Sequence, residues 1–287
     1  LTLGFSARRA DERYGFDATN WMATGPDDYL IDSDEESRRD ERIGTVWASR
    51  TSLDGRLEQR LAWQDTRHRL EQDDGTTSRA RTRALKYRAT FGLDGSVAEA
   101  GQTLALAQDW ITDEATGVAD NRRETSSTAL EYRGAHANGL DVQLGLRHDD
   151  SSEFESKTTW NAGLSWRIEG TPLRLHASAG TGISNPQYFE ILGGYGYVGN
   201  PNLKPEENRS IDLGIEYSLP DGRGVIDVTW FKERLEDEIT FSGLLLPNGT
   251  NYYNQDGTSR REGIELTYRQ DVTDTLTIGA AYTYLDA

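Results

Sequence analysis

The feature that most constrains this chain is an alternation with a period of two residues. In LTLGFSARR, Leu1, Leu3, Phe5 and Ala7 fall on one side and Thr2, Gly4, Ser6 and Arg8 on the other. A pleated strand with one apolar and one polar face requires that pattern. The same spacing groups Val142, Leu144 and Leu146, then Trp160, Ala162, Leu164, Trp166 and Ile168, then Ile264, Leu266 and Tyr268, each set opposing Gly, Ser, Thr, Arg, Glu or Asn. Helical spacing is nowhere sustained over three turns. The alternation predicts an all-β chain with strands at 1–17, 41–53, 56–69, 79–94, 102–112, 122–134, 140–150, 157–168, 173–181, 209–218, 224–239, 259–269 and 276–285. That makes about 13 strands, each at or near the length a tilted membrane-crossing strand needs.

The connections alternate too. Asp54-Gly55, LDGSVAEAG, GAHANG, EGTP, LPDGRG and QDVTD are short and rich in Gly, Pro and Asp, which suit hairpin turns. Between them lie longer polar loops at 18–40, 66–78, 113–121, 151–156, 182–208 and 240–258. An up-and-down antiparallel meander then places every long loop at one end and every short turn at the other, as in an outer-membrane β-barrel. Trp21, Trp47, Trp63, Trp110, Trp160, Trp166 and Trp230 are expected in the interfacial girdles of such a barrel. A soluble β-sandwich, propeller or solenoid alternates equally well and is the competing architecture.

Composition fits a barrel. Only 35% of residues are hydrophobic, yet the chain carries 7 Trp, 13 Tyr and 7 Phe, too aromatic for a disordered polymer. A mean hydropathy of -0.72 is expected where one sheet face meets lipid and the other meets water. With 31 Lys+Arg against 48 Asp+Glu, the formal charge of -17 argues against nucleic acid as a partner. There is no Cys, so this chain holds no disulfide and no zinc–cysteine site. No apolar run is long enough for a transmembrane helix. The opening reads as strand rather than secretory leader, which gives the expectation of a fragment or processed chain.

The stretch from Leu175 carries a resemblance. Gly180-Thr181-Gly182, Asn185-Pro186, Tyr188, Gly199 to Glu206 (GNPNLKPE), Ser210 and Gly214 to Glu216 are followed by Trp230-Phe231, Leu235, Asp237 and Ile239, by Asn254, Gly257, Arg261, Gly263 and Glu265, and by AAYTYLDA. In this order they resemble the late-barrel segment of TonB-dependent outer-membrane receptors. Ile183-Ser184 departs from that family's aromatic-basic pair, and residues 1–170 match only in rhythm. The resemblance implies that residues 1–287 are part of one transmembrane antiparallel β-barrel of about 22 strands, with the N-terminal plug and the last strands outside this chain. It further implies a receptor in a Gram-negative outer membrane that binds a scarce large nutrient, such as a ferric siderophore or cobalamin. Uptake would draw on the TonB-ExbB-ExbD energising complex, acting through the plug, and membrane lipid and lipopolysaccharide would surround the barrel. Within the family, GYVGNPNLKPEEN leans towards the vitamin B12 receptor group. A passive porin-like or adhesin-like barrel without energy coupling is the alternative.

Candidate ligand contacts fall on the long loops, because loops on a rigid scaffold carry specificity. YFEILGGYGYVG offers Tyr188, Phe189, Tyr195 and Tyr197, and LPNGTNYYNQDG adds Asn251, Tyr252 and Tyr253. Aromatics with polar tips suit a partly apolar solute, whereas the competing role for the same side chains is packing of the loops themselves. Pro201 and Pro205 fix their own φ and bias Asn200 and Lys204 to extended geometry, so GNPNLKPEEN reads as structural. In loop 18–40, Asp27, Asp28, Asp32 and Asp34 are candidate calcium ligands. The spacing fits no EF-hand and RRDER supplies counter-ions, so a solvated acidic loop is the alternative. His148-Asp149-Asp150 and Ser151 suggest a hydrolytic group only by proximity, and no enzymatic activity is expected.

Overall fold

Backbone pairing, more than side-chain type, sets strand length in this chain. In the computed structural model the described residues are 1–287 other than Trp21, Asp73, Asp74, Thr76, 117–120, Tyr195 and the side chain of Asp27. The strands are β1 (Thr2–Thr19), β2 (Leu30–Ser52), β3 (Leu57–Gln72), β4 (Thr77–Gly92), β5 (Gln102–Thr116), β6 (Asn121–Ala135), β7 (Leu140–Ser151), β8 (Lys157–Arg167), β9 (Leu173–Ser184), β10 (Glu206–Ser218), β11 (Gly224–Glu236), β12 (Ile239–Phe241), β13 (Tyr252–Asn254), β14 (Thr258–Thr273) and β15 (Leu276–Asp286). One helical turn, α1 (Tyr188–Leu192), lies between β9 and β10. Thirteen strands form a single antiparallel sheet in sequence order, β1 to β11 and then β14 and β15, while β12 and β13 pair as a separate ribbon. The sheet is open, with β1 and β15 at its edges.

Register assigns every side chain to a face. One face carries Leu61, Trp63, Leu85, Leu106 and Trp110 in the early strands and Leu144, Leu146, Leu164, Leu213, Ile215, Val228, Ile264 and Leu266 in the later ones, all exposed. Aromatics bound this apolar band. Trp63, Trp110, Trp160, Trp230 and Tyr284 mark its loop end, and Phe91, Tyr132, Trp166, Tyr217 and Tyr268 its turn end. Such rims form the girdles of a membrane barrel. Among the described residues no second layer covers the band: Leu146 stays 53% exposed and Ile215 52%. An apolar face so large and uncovered is a lipid-facing surface rather than half of a soluble core.

The opposite face is polar. Arg174 pairs with Glu216, His176 Nε2 lies 2.7 Å from Asp227 Oδ2, and Ser178 Oγ donates to Asp212 Oδ2 at 2.5 Å. Gly214 makes room there. A Cβ on it would come within 2.1 Å of the His176 ring.

Four expectations change. Loop 18–40 is mostly strand: β2 begins at Leu30, and Arg38 reaches back to Asp11 on β1 with hydrogen bonds of 3.1 and 2.7 Å. Charged side chains on both faces suit a ribbon standing clear of the membrane, where neither face needs to be apolar. The strict long-short rhythm also fails, since four residues separate β3 from β4 at the loop end but nine separate β4 from β5 at the turn end. Trp47 sits on the polar face beneath Arg60, whose Cζ is 4.2 Å from the ring centroid, so it belongs to no girdle. Trp21 lies outside the described residues. The strand expected over 224–239 breaks at Asp237, where φ is 55°, and β12 turns away into its ribbon.

Candidate ligand-binding site

Two long connections at the loop end, 185–205 and 237–257, are stitched into one cap. The first opens with α1, whose Gln187 N–H donates to Glu190 Oε2 at 2.7 Å and closes a capping box. The chain reverses at Gly193, φ 77°, and returns so closely that a Cβ on Gly199 would lie 2.4 Å from Gly193 N and 2.5 Å from Ile191 C. Only glycine fits there. The GNPNLKPEEN segment then enters the seam. Asn200 Nδ2 donates to Tyr252 O at 2.9 Å, Leu203 is buried, and the Lys204 N–H donates to Asn254 Oδ1 at 2.9 Å. Asn254 Nδ2 donates in turn to Lys204 O and Asp237 O. Asn251 completes the seam: Oδ1 accepts from Val198 N–H at 2.8 Å and Nδ2 donates to Ser242 O at 3.0 Å.

Aromatic rings fill the space between the two loops. Phe189 meets Tyr252 edge-on at 5.9 Å, Tyr197 meets Phe241 edge-on at 4.9 Å, and Phe241 lies 5.2 Å from Tyr252. These are the separations at which aromatic pairs attract beyond simple burial. Tyr252 and Leu203 are buried at the heart of the cap, while Tyr197 and Phe241 keep an exposed side.

The cap is pinned to the polar face of the wall. Tyr188 Oη donates to Asp113 O at 3.1 Å, and the Arg123 guanidinium lies 4.9 Å from both the Tyr188 and the Phe154 ring centroids. Arg123 Nε donates to Glu153 Oε2 at 2.7 Å and Nη2 to Pro186 O at 2.9 Å. Burial raises the Tyr188 and Tyr252 phenols above their ordinary range, so both stay protonated near neutral pH. Beside this anchor opens a cleft of about 650 Å³, lined by Thr82, Asp113, Arg123, Gln187, Tyr188 and Phe189 among others. A cleft this size accepts an organic solute.

The expected ligand residues therefore divide. Tyr188 and Phe189 line the cleft. Asn251 and Tyr252, 4% and 7% exposed, form the seam between the loops, so their positions favour packing over contact with a solute. Tyr253 pairs with Thr240 in the ribbon, and Tyr197 packs on Phe241 with its other side exposed. Tyr195 lies outside the described residues. Asp28 sits in a 3-10 turn, whereas Asp32 and Asp34 ride on β2, and no cluster of three metal-ligating side chains occurs among the described residues. His148 faces the same side as Asp150, with Asp149 on the other side paired to Arg147, so no hydrolytic constellation forms there. Arg123 is the residue sequence reasoning overlooked. The available signal was its place on the polar face with Thr125 and Ser127.

The chain matches the family described as TonB dependent receptor-like, beta-barrel, over residues 1–287. It is 29% identical over 170 residues to the vitamin B12 transporter BtuB of Vibrio vulnificus (strain YJ016), a stretch covering 57% of this chain and 27% of that protein. Among solved structures it is similar to the siderophore receptor PirA of Pseudomonas aeruginosa, with a TM-score of 0.75 at 18% identity, covering 89% of this chain and 51% of that one. The hemophore receptor HasR of Serratia marcescens gives 0.67 at 16% identity, covering 99% of this chain and 54% of the other. The chain thus spans about a quarter of the B12 transporter and about half of each solved receptor. With the matching family covering its whole length, the chain belongs to the TonB-dependent receptors, as part of their β-barrel.

Proposed function

We propose that this chain forms the wall and part of the external cap of an outer-membrane receptor that takes up a scarce, bulky nutrient using energy delivered by the TonB-ExbB-ExbD complex. The observation that carries this reading is the two-faced sheet: an uncovered apolar band bounded by aromatics on one side, and a polar wall bearing a loop cap and cleft on the other. The first face suits acyl chains, the second a water-lined conduit. Gram-negative outer membrane is the matching location. Two of the named relatives, a vitamin B12 transporter and a siderophore receptor, suggest a cobalamin or a ferric chelate as the solute.

In this reading, Tyr188, Phe189 and Arg123 are first in contact with the solute, presenting π-faces and a fixed cation at the cleft. Tyr197 and Tyr253 lie farther out on the cap. Asn251 and Tyr252 hold its shape.

The test is growth of a strain lacking the full-length receptor on limiting cobalamin or ferric siderophore, with the gene restored and the energising complex present or absent. Uptake requiring both is the expected result. Uptake that needs the receptor but ignores the complex would assign a passive, porin-like barrel instead.

A further inference from the structure

Of the four lysines in residues 1–287, three are paired: Lys157 with Glu207 at 2.6 Å, Lys204 with Asp237 at 4.0 Å and Lys232 with Glu262 at 2.5 Å. Lys86 has no carboxylate partner among the described residues. It stands on the polar face of β4 in a group of cations that the register holds together. Arg60 lies directly across from Arg88, and Ala62 across from Lys86, on the β3–β4 pair. Like charges placed opposite one another repel, so this crowding calls for a counter-ion. The wall supplies little. Arg60 rests on the Trp47 ring and also lacks a carboxylate partner among the described residues. Arg88 reaches Glu131 at 3.4 Å, but Arg133 holds that carboxylate at 2.7 Å. Arg147 approaches Asp109 only at 4.0 Å, its closer partner being Asp149 at 2.9 Å.

Arg60, Lys86, Arg88, Arg147, Asp109 and Glu131 rim a recess of about 420 Å³. Ala62, Ala105, Ala107 and Ala129 line it as well, so its floor is backbone and methyl groups and the space above is left to a guest. Leu61, Leu85 and Leu106 of the apolar band lie on the other face of the same strands, which puts the recess at membrane depth rather than at either mouth. On β4 Lys86 follows Thr82 by four residues, and on β5 Asp109 stands as far from Asp113; Thr82 and Asp113 both line the cleft beside the cap. Four residues of strand rise about 13 Å, so a solute leaving the cleft for the turn end meets the recess next.

The geometry points to a second binding step within the conduit: the recess takes the carboxylates of an anionic metal chelate that has left the cleft. Four cations facing two carboxylates leave two positive charges uncompensated at the rim, and the guanidinium fork matches carboxylate oxygens in pairs. This names the class of solute and rests on the conduit proposed above.

The full-length receptor in detergent is treated with a water-soluble amine-acylating reagent, alone and with propane-1,2,3-tricarboxylate or its uncharged triamide, and each lysine is read by peptide mass spectrometry. The expected result is that Lys86 is acylated in the free receptor and protected about tenfold by the tricarboxylate, less so as salt rises. The triamide should protect nothing, and Lys204 should react alike throughout. R60Q/R88Q should abolish the protection, whereas R269Q on the polar face of β14 keeps it. Equal acylation of Lys86 with both probes overturns the inference and needs no variant to fold. Lys86 already blocked in the free receptor also overturns it, by assigning the recess to another segment of the receptor. Energised uptake in the growth test alongside unprotected Lys86 would remove the recess and leave the proposed function standing; passive uptake alongside protection would do the reverse.

Discussion

At the scale of single residues, the cap depends on a few buried polar side chains with no substitute. Asn251 offers an acceptor to Val198 and a donor to Ser242 from a nearly sealed position. Truncation leaves both backbone groups unpaired, at a cost of about 1–3 kcal/mol. Asn251→Ala should therefore speed amide hydrogen exchange at 196–203 and 240–252 while strands β7 to β11 keep their protection. Unchanged exchange in both loops would show that the seam is held by something else. Gly199→Ala tests the same cap by sterics, because the added methyl meets backbone rather than a movable side chain. It should open both loops together. Arg123→Ala removes the stacking partner of Tyr188 and the support of Pro186 O. Under the proposed function it should weaken solute binding by about 10-fold, the effect of losing roughly 1.4 kcal/mol, with folding of the sheet intact. Equilibrium binding to the purified receptor decides between these outcomes.

At the scale of elements, the two faces of the sheet should tolerate charge very differently. Leu213→Arg places a cation in the apolar band of β10 and should destabilise the membrane-inserted state by about 2–4 kcal/mol, whereas Gln143→Arg on the polar face of β7 should cost near zero. Reversible unfolding in lipid vesicles measures both, and equal penalties would contradict the face assignment. That assignment was legible in the sequence wherever a strand crosses lipid, because there one face must be apolar and the period-2 signal is strong. It failed in β2 between Leu30 and Asp40, where both faces meet water and only ion pairs such as Arg38–Asp11 mark the pairing. The same logic explains Trp47. An aromatic beneath Arg60 on the polar face satisfies the alternation as well as a girdle residue does, and only register distinguishes them. The loop seam was half legible: two prolines announced a pre-shaped segment, but its partners lie 50 residues away in the second loop.

At the scale of the whole molecule, the low mean hydropathy, the acidic charge and the exposed apolar band have one explanation. The chain is built inside-out, with few apolar side chains buried and its largest apolar surface given to lipid. The absence of Cys in residues 1–287 makes this directly measurable, since single cysteines introduced into this part carry a spin label at chosen sites. Labels at Leu144, Leu213 and Val228, and at Gln143, Ser178 and Thr229, would be compared in the reconstituted receptor for collision with dissolved oxygen and with a water-soluble nickel chelate. The account predicts oxygen-dominated collisions at the first three positions and suppressed oxygen access at the second three. Nickel-dominated collisions at Leu144, Leu213 and Val228 would place those side chains in water and contradict it.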